Sequence, residues 1–271
     1  VELVKHIRAD YPDVPVIVIT GHGDIGTAID VLKLGASDYF AKPFSLAAIQ
    51  ESTQLVLQKA QVFTEIRHLR RSLKEFYNFG GMLSKAPAMH EVFETIRAVS
   101  DTDMTVVVEG ETGTGKELVA RSIHNLSSRR MKPFIAINCA GFVESLLESE
   151  LFGYERGAFT GADHARPGKI ELANGGTLFL DEIESISLNM QAKLLRALED
   201  RVVQRLGANR AVEVDMRVVA ASNVRLQDLV AQKKMREDFY YRINVVVIEL
   251  LPLRDRLEDI PLLVQDFLHY H

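Results

Sequence analysis

Short apolar runs alternate along the chain with segments of helical spacing. Val14-Pro15-Val16-Ile17-Val18-Ile19-Thr20 is β-branched and apolar, and Gly21-His22-Gly23 closes it, which suits a buried parallel strand. Ile25, Ala28, Ile29 and Leu32 then recur at helical spacing until Gly35 stops them. Asp38-Tyr39-Phe40-Ala41 reads as another short strand, ended by Lys42-Pro43. The first ~45 residues thus predict strand–helix–strand–helix, the tail of a doubly wound α/β domain. Residues 45–76 contain neither proline nor glycine, and Val62, Ile66, Leu69, Leu73 and Phe76 are spaced 4, 3, 4, 3 with Arg, His, Lys and Glu between them. That is a heptad seam, open to two readings: one helix packed on its own domain, or a dimerising coiled coil kept short by Lys59.

Asn78-Phe79-Gly80-Gly81 breaks this helix, and a second domain is expected to begin near Leu83. Its predicted strands are 105–109, 134–138, 177–180, 218–221 and 245–250, with helices at 117–125, 143–151 and 191–199 between them. The alternation specifies a parallel sheet covered on both faces.

Composition narrows the class. A length of 271 residues accommodates one large domain and part of another. Hydrophobic residues at 47% and charged residues at 25% are ordinary for globular protein. The formal charge of -5 gives no overall basic footprint, so nucleic acid is not expected as a direct ligand of this piece. The single cysteine, Cys139, excludes an internal disulfide framework and fits a reducing cytoplasm. No apolar run approaches the ~20 residues of a membrane span. Val1-Glu2-Leu3-Val4-Lys5 lacks the features of a signal peptide and reads as the middle of a helix, as in a piece of a longer protein.

The strongest chemistry starts at Gly110-Glu111-Thr112-Gly113-Thr114-Gly115-Lys116-Glu117, after the strand Val106-Val107-Val108-Glu109 and at the opening of a helix. A P-loop needs that setting: glycines let amides curl around phosphate oxygens, the helix N-terminus adds positive potential, and lysine reaches the β- and γ-phosphates of ATP. Glu117 stands where Ser or Thr usually supplies a Mg²⁺ ligand. Such a glycine–lysine pattern arises by chance in roughly one chain in ten of this size, so it needs a second motif. Thr177-Leu178-Phe179-Leu180-Asp181-Glu182 supplies it, an apolar strand ending in paired carboxylates. Placed beside the P-loop strand, Asp181 is expected to hold Mg²⁺, directly or through water, and Glu182 to polarise the attacking water.

Between these motifs lies Gly157-Ala158-Phe159-Thr160-Gly161-Ala162, which resembles the signature of NtrC-type, sigma-54-dependent activators. The resemblance continues through 168–177, 235–242 and 251–256 and covers the chain from about Leu83 onward. It implies an AAA+ αβα sandwich with a parallel sheet over 81–252, followed by the start of a lid subdomain at 253–271. In that family Glu117 is the usual residue. The resemblance further implies that residues 157–162 form a mobile finger engaging the sigma-54 RNA polymerase holoenzyme, that Asn138 orients Glu182, and that Asn223 after Ser222 is the sensor I position, where an amide reads the γ-phosphate or positions water. Arg236 and Arg242 match the family's arginine fingers, which act on a neighbouring subunit's nucleotide and imply a ring, a hexamer built from dimers. Fingers of this kind are worth ~10³–10⁵ in rate, about 4–7 kcal/mol.

Residues 1–58 resemble the end of a flavodoxin-like response-regulator receiver, and 59–80 the helical linker behind it. Thr20 matches the receiver's switch hydroxyl, and Lys42 its phosphate-contacting lysine, with a cis bond to Pro43 expected. A sensor histidine kinase and enhancer DNA are implied as partners of the whole protein, through a complete receiver and a helix-turn-helix that this sequence does not contain. Two other classes stand beside this reading. One is an AAA+ remodeller of other targets, against which the 157–162 hexapeptide speaks. The other is a non-catalytic signalling scaffold, against which Asp181-Glu182 speaks.

Overall fold

The computed structural model describes residues 2–11, 14–21 and 25–270, with backbone alone at 25, 63–77, 269 and 270. His22 and Gly23 of the predicted strand closure lie outside the described residues. So do the side chains of Ile66, Leu69, Leu73 and Phe76 in the heptad seam. The chain divides at Phe76/Tyr77 into two compact units.

The first unit contains α1 (Glu2–Asp10), β1 (Ile17–Thr20), α2 (Ile25–Lys33), β2 (Asp38–Ala41) and α3 (Leu46–Tyr77), whose last residue falls past the division. β1 and β2 pair in parallel, Thr20 opposite Ala41. Val4, Val31 and Ala36 are buried together, with Val18, Leu34 and Tyr39 against them. Gly35 adopts φ 96°, the left-handed geometry that ends a helix, as the sequence pattern required. The Lys42-Pro43 bond is cis, as expected.

The second unit opens with a tight hairpin, β3 (Asn78–Phe79) and β4 (Met82–Leu83), where the sequence showed only a helix break. Then follow α4 (Pro87–Ser100), β5 (Val106–Glu109), α5 (Lys116–Leu126), β6 (Phe134–Asn138), α6 (Glu144–Phe152), β7 (Gly153–Tyr154), β8 (Arg166–Pro167), α7 (Lys169–Leu172) and β9 (Thr177–Asp181). The remainder is α8 (Leu188–Asp200), β10 (Val202–Gln204), β11 (Ala211–Glu213), β12 (Arg217–Ser222), α9 (Leu226–Ala231), α10 (Glu237–Ile243), β13 (Val246–Glu249) and α11 (Ile260–Tyr270).

Five of these strands form one parallel sheet in the order β13-β5-β12-β9-β6. The period of two sorts their side chains into two layers. Val107, Leu178, Leu180 and Ala220 face the layer that includes Leu151, Ile170, Leu194 and Phe239. Val106, Val108, Phe179, Val219 and Ala221 face the layer of Phe93, Ile96, Val119 and Ile123. All nine strand residues are buried, which explains why these strands read as unbroken apolar runs. The three-layer α/β/α arrangement matches the expectation in class. It corrects one detail: β9 is not beside the P-loop strand β5, because β12 lies between them.

Several local devices fix this unit. Ser187 caps α8, its hydroxyl accepting the Met190 N–H. Arg217, 1% exposed, donates to the carbonyls of Val99 and Ser100 at 2.7 and 2.6 Å. It thereby satisfies orphan acceptors at the end of α4 and ties that helix to the start of β12.

Candidate functional site

The carboxyl ends of β5, β12 and β9 bring the predicted motifs to one edge of the sheet. The Gly110 N–H donates to the Ser222 carbonyl at 3.1 Å, joining the loop after β5 to the tip of β12. Gly113 and Gly115 have φ of 83° and 103°, where a side chain is strained. These turns roll backbone amides toward the N-terminus of α5, a geometry suited to anions. The Thr114 hydroxyl donates to the Glu111 carbonyl at 2.8 Å, stiffening the loop.

Lys116 is 7% exposed, and its Nζ donates to Gly110 O at 2.6 Å, Glu111 O at 3.0 Å and Asn223 Oδ1 at 2.7 Å. Burial pushes its pKa down, while the charges of Asp181, Glu184 and Glu182 pull it back up. The Thr112 hydroxyl also donates to Asn223 Oδ1, at 3.2 Å. The loop lysine, Asn223 and the acidic strand tip therefore share one local field.

Asp181 ends β9 opposite Asn138 of β6. Asn138 Nδ2 donates to Asp181 Oδ2 at 3.4 Å, and its Oδ1 accepts from the amides of Ala140 and Gly141 at 2.9 and 3.1 Å. Its side-chain bond is thus to Asp181, where the resemblance pointed to Glu182, and it also forms the turn expected of a strand-end asparagine. Burial raises the Asp181 pKa, the Glu182 N–H works against that rise, the Glu182 charge adds to it, and Lys116 opposes it. Glu182 has φ 53° and ψ 48°, a left-handed conformation that is rare for a residue with a side chain. Such strain costs of order 1–3 kcal/mol and collects at functional sites.

Sequence reasoning missed Glu184. The 3-10 turn Ile183–Ser185 returns it to β12, and its Oε1 accepts the Asn223 N–H at 3.0 Å. The available signal was only a third acid in Asp181-Glu182-Ile183-Glu184, which does not disclose the turn. The nearby Cys139 thiol is pushed up to about 12 by burial and then by Asp181, Glu184 and Glu182, which keeps it protonated and inert.

Residues after β13 also reach the phosphate loop. Arg254 forms a two-pronged ion pair with Glu111, and Arg256 Nη2 donates to the Thr114 carbonyl at 3.2 Å. Asp259, fully buried, accepts from Ser84 Oγ at 2.7 Å and from the amides of Lys85 and Ala86 at 2.6 and 3.2 Å. Glu117 pairs along α5 with Arg121 at 2.6 Å.

Within the second unit, the other predicted residues make their bonds away from the phosphate loop. Gly157, Phe159, Thr160 and Gly161 are exposed, Ala158 is half-buried and Ala162 is buried. Gly157 N–H donates to Ala162 O at 2.9 Å, and Phe159 meets Tyr154 edge-on at 5.0 Å, so the hexapeptide is a closed turn carrying an exposed aromatic. Its base is held by Glu155 and Gly153, which exchange backbone bonds with Leu206. Arg236 pairs with Asp238, and Arg242 donates to the Leu198 carbonyl at 2.7 Å. None of these partners belongs to the phosphate loop. In the first unit, the Lys42 N–H donates to the Thr20 carbonyl at 2.8 Å, so the two predicted switch residues sit at adjoining strand ends.

Among the described residues, no group of three His, Cys, Asp or Glu side chains is set to hold a metal. Mg²⁺ does not require one, since it takes one or two carboxylates and completes its shell with phosphates and water. Asp181, a half-buried carboxylate beside a phosphate loop, fits that demand. No helix among the described residues is long and apolar enough to cross a membrane.

Comparison with known proteins yields two family matches: the sigma-54 interaction domain over residues 82–249 and the response regulator receiver domain over residues 1–54. The chain is 47% identical over 267 residues to the C4-dicarboxylate transport transcriptional regulatory protein DctD of Pseudomonas aeruginosa, covering 98% of this chain and 58% of that protein. It is 45% identical over 268 residues to the regulatory protein AtoC of Escherichia coli, covering 99% and 58%. The crystal structure of NtrX from Brucella abortus in complex with ATP aligns with a TM-score of 0.64 at 34% identity, covering 98% of this chain and 59% of that one. The chain therefore spans less than two thirds of the length of these relatives.

Proposed function

We propose, from the premise that this chain belongs to the sigma-54 interaction domain family, that it is the receiver-to-ATPase portion of an activator that hydrolyses ATP to remodel sigma-54 RNA polymerase. The observation that carries this reading is the convergence on Lys116, where loop carbonyls, Asn223 and the charges of Asp181, Glu182 and Glu184 meet.

In this reading, the amides of residues 110–117 and the α5 N-terminus bind the phosphates of ATP, and Lys116 exchanges its protein oxygens for β- and γ-oxygens. Asp181 would hold Mg²⁺, directly or through water; bound there, the ion neutralises charge on the phosphates. Glu182 accepts a proton as water attacks the γ-phosphorus and the bond to the β-phosphate oxygen breaks. Asn138 steadies Asp181 and, through the shared strand tip, Glu182. Arg236 and Arg242 serve the site of a neighbouring subunit in a ring, and their partners within this protomer keep them poised. The exposed turn at 157–162 carries Phe159 and Thr160 to sigma-54. For the whole protein, a histidine kinase acting on the complete receiver and enhancer DNA bound elsewhere are the further partners, and the helical linker at 59–80 serves dimerisation.

Titration of the chain with Mg-ATP tests the core of this reading. Lys116→Ala should unfold as cooperatively as the parent yet lose measurable nucleotide binding. Unchanged affinity would overturn the assignment.

A further inference from the structure

Asn223 hangs between two parts of the site by opposite ends. Its backbone N–H is held by Glu184 Oε1 at 3.0 Å. Its side-chain carbonyl faces the phosphate loop, accepting from Lys116 Nζ at 2.7 Å and Thr112 Oγ1 at 3.2 Å. Glu184 is the only side chain among the described residues that accepts that N–H, and its second oxygen, Oε2, is buried without a partner. A buried carboxylate oxygen left unmatched is uncommon and calls for a reason. Helix capping does not provide one, since α9 begins at Leu226 and its first amide is taken by Glu109.

The arrangement separates two jobs in one residue. A γ-phosphate arriving at Lys116 competes with Asn223 Oδ1 for the ammonium. The asparagine side chain is then released to turn its NH₂ toward the new anion, while its main chain stays fixed. A diphosphate brings β-oxygens, which displace the loop carbonyls, but no γ-oxygen to take the third donor, so the Lys116–Asn223 bond persists. What must not move in that exchange is the Asn223 backbone, and the group that holds it comes from the turn following the acidic strand tip.

We propose that Glu184 is a positioning residue of the nucleotide site, fixing the Asn223 main chain so that the site distinguishes a triphosphate from a diphosphate. This rests on the nucleotide reading given above. The experiment is calorimetric titration of the 271-residue chain with Mg-ADP and with a Mg-bound, non-hydrolysable ATP analogue. Glu184→Ala should weaken analogue binding about tenfold, the size of one hydrogen bond to a charged group, and leave ADP within about twofold. Glu184→Gln, whose side-chain carbonyl can still accept from Asn223, should recover more than half of that discrimination. In an Asn223→Ala background, Glu184→Ala should cost no further analogue affinity, because the sensing amide is already gone.

Equal losses for both nucleotides, or a full loss persisting in the Asn223→Ala background, would reduce Glu184 to a stabilising contact and overturn the proposal. An unchanged ratio in Glu184→Ala would overturn it as well. If Glu184→Ala does not melt cooperatively, Glu184→Asp, one methylene too short to reach Asn223, takes its place with the same expectations. Lys116→Ala serves as the control: loss of both nucleotides there, with Glu184→Ala behaving as the parent, rejects this proposal alone. Retention of both by Lys116→Ala rejects the nucleotide reading itself.

Discussion

Lys116 and Asn223 are joined by a 2.7 Å hydrogen bond across the gap between the phosphate loop and the tip of β12. Two carbonyls of the loop take the remaining directions of the ammonium, so its three donors are all matched to protein oxygens. Replacing Asn223 by leucine keeps the bulk and removes one acceptor. The expected cost is about 1–2 kcal/mol in urea unfolding without nucleotide. A saturating Mg-bound, non-hydrolysable ATP analogue should shrink that cost, because γ-phosphate oxygens take the freed donor. An equal cost in both conditions would contradict this account of the lysine.

Glu182 should be stabilised by glycine and inactivated by it. Its left-handed backbone is free of strain only in glycine, so Glu182→Gly should gain about 1 kcal/mol in denaturant unfolding. Glu182→Gln keeps the strain and should leave stability near the parent, while ATP turnover falls by about 10²–10⁴. A Gln variant with full phosphate release would remove Glu182 from the chemistry.

The raised pKa of Asp181 predicts the sign of a pH dependence. A carboxyl whose pKa rises on folding contributes stability only while it is protonated. That contribution is complete below the unfolded value of about 3.9 and is lost as pH climbs through the folded value. At neutral pH the ionised group therefore opposes folding, and Asp181→Asn should raise the thermal midpoint. The gain should diminish as pH approaches 4, and a gain independent of pH would contradict burial as its cause.

Asp259 is expected to matter for folding out of proportion to its position. It supplies acceptors to Ser84, Lys85 and Ala86 at the start of α4, a helix whose Ala86 N-cap position has no side-chain cap of its own. Asp259→Ala removes an acceptor from the Ser84 hydroxyl and from the Lys85 and Ala86 amides and should cost about 3 kcal/mol in denaturant unfolding. A loss below about 0.5 kcal/mol, the usual scale of a surface change, would show that water replaces it.

The sequence carried the sheet and the phosphate loop well, because both rest on local signals. Val106, Val107 and Val108 announce a strand buried on both faces, and Gly113 and Gly115 mark the turns that only glycine makes cheaply. The order of strands was not legible. That β12 separates β5 from β9 depends on long-range pairing, which periodicity does not encode. α4 was overlooked although Met89, Val92, Phe93, Ile96 and Val99 carry a helical stripe behind Pro87, so its signal was present and unread. Glu184, Arg254 and Asp259 gave no warning because their partners lie 39, 143 and 175 residues away. Arg236 and Arg242 were singled out by resemblance alone, and their bonds within one protomer do not disclose a role across an interface.

The grip of Arg254 on Glu111 and of Arg256 on the Thr114 carbonyl has a mechanical corollary. The loop that would cradle phosphates and the segment after the last strand share these two contacts. Tilting that segment would tug on the cradle, and reshaping the cradle would tilt the segment. A nucleotide held in that loop would thus have a short covalent and hydrogen-bonded road to α11, needing no relay through the sheet.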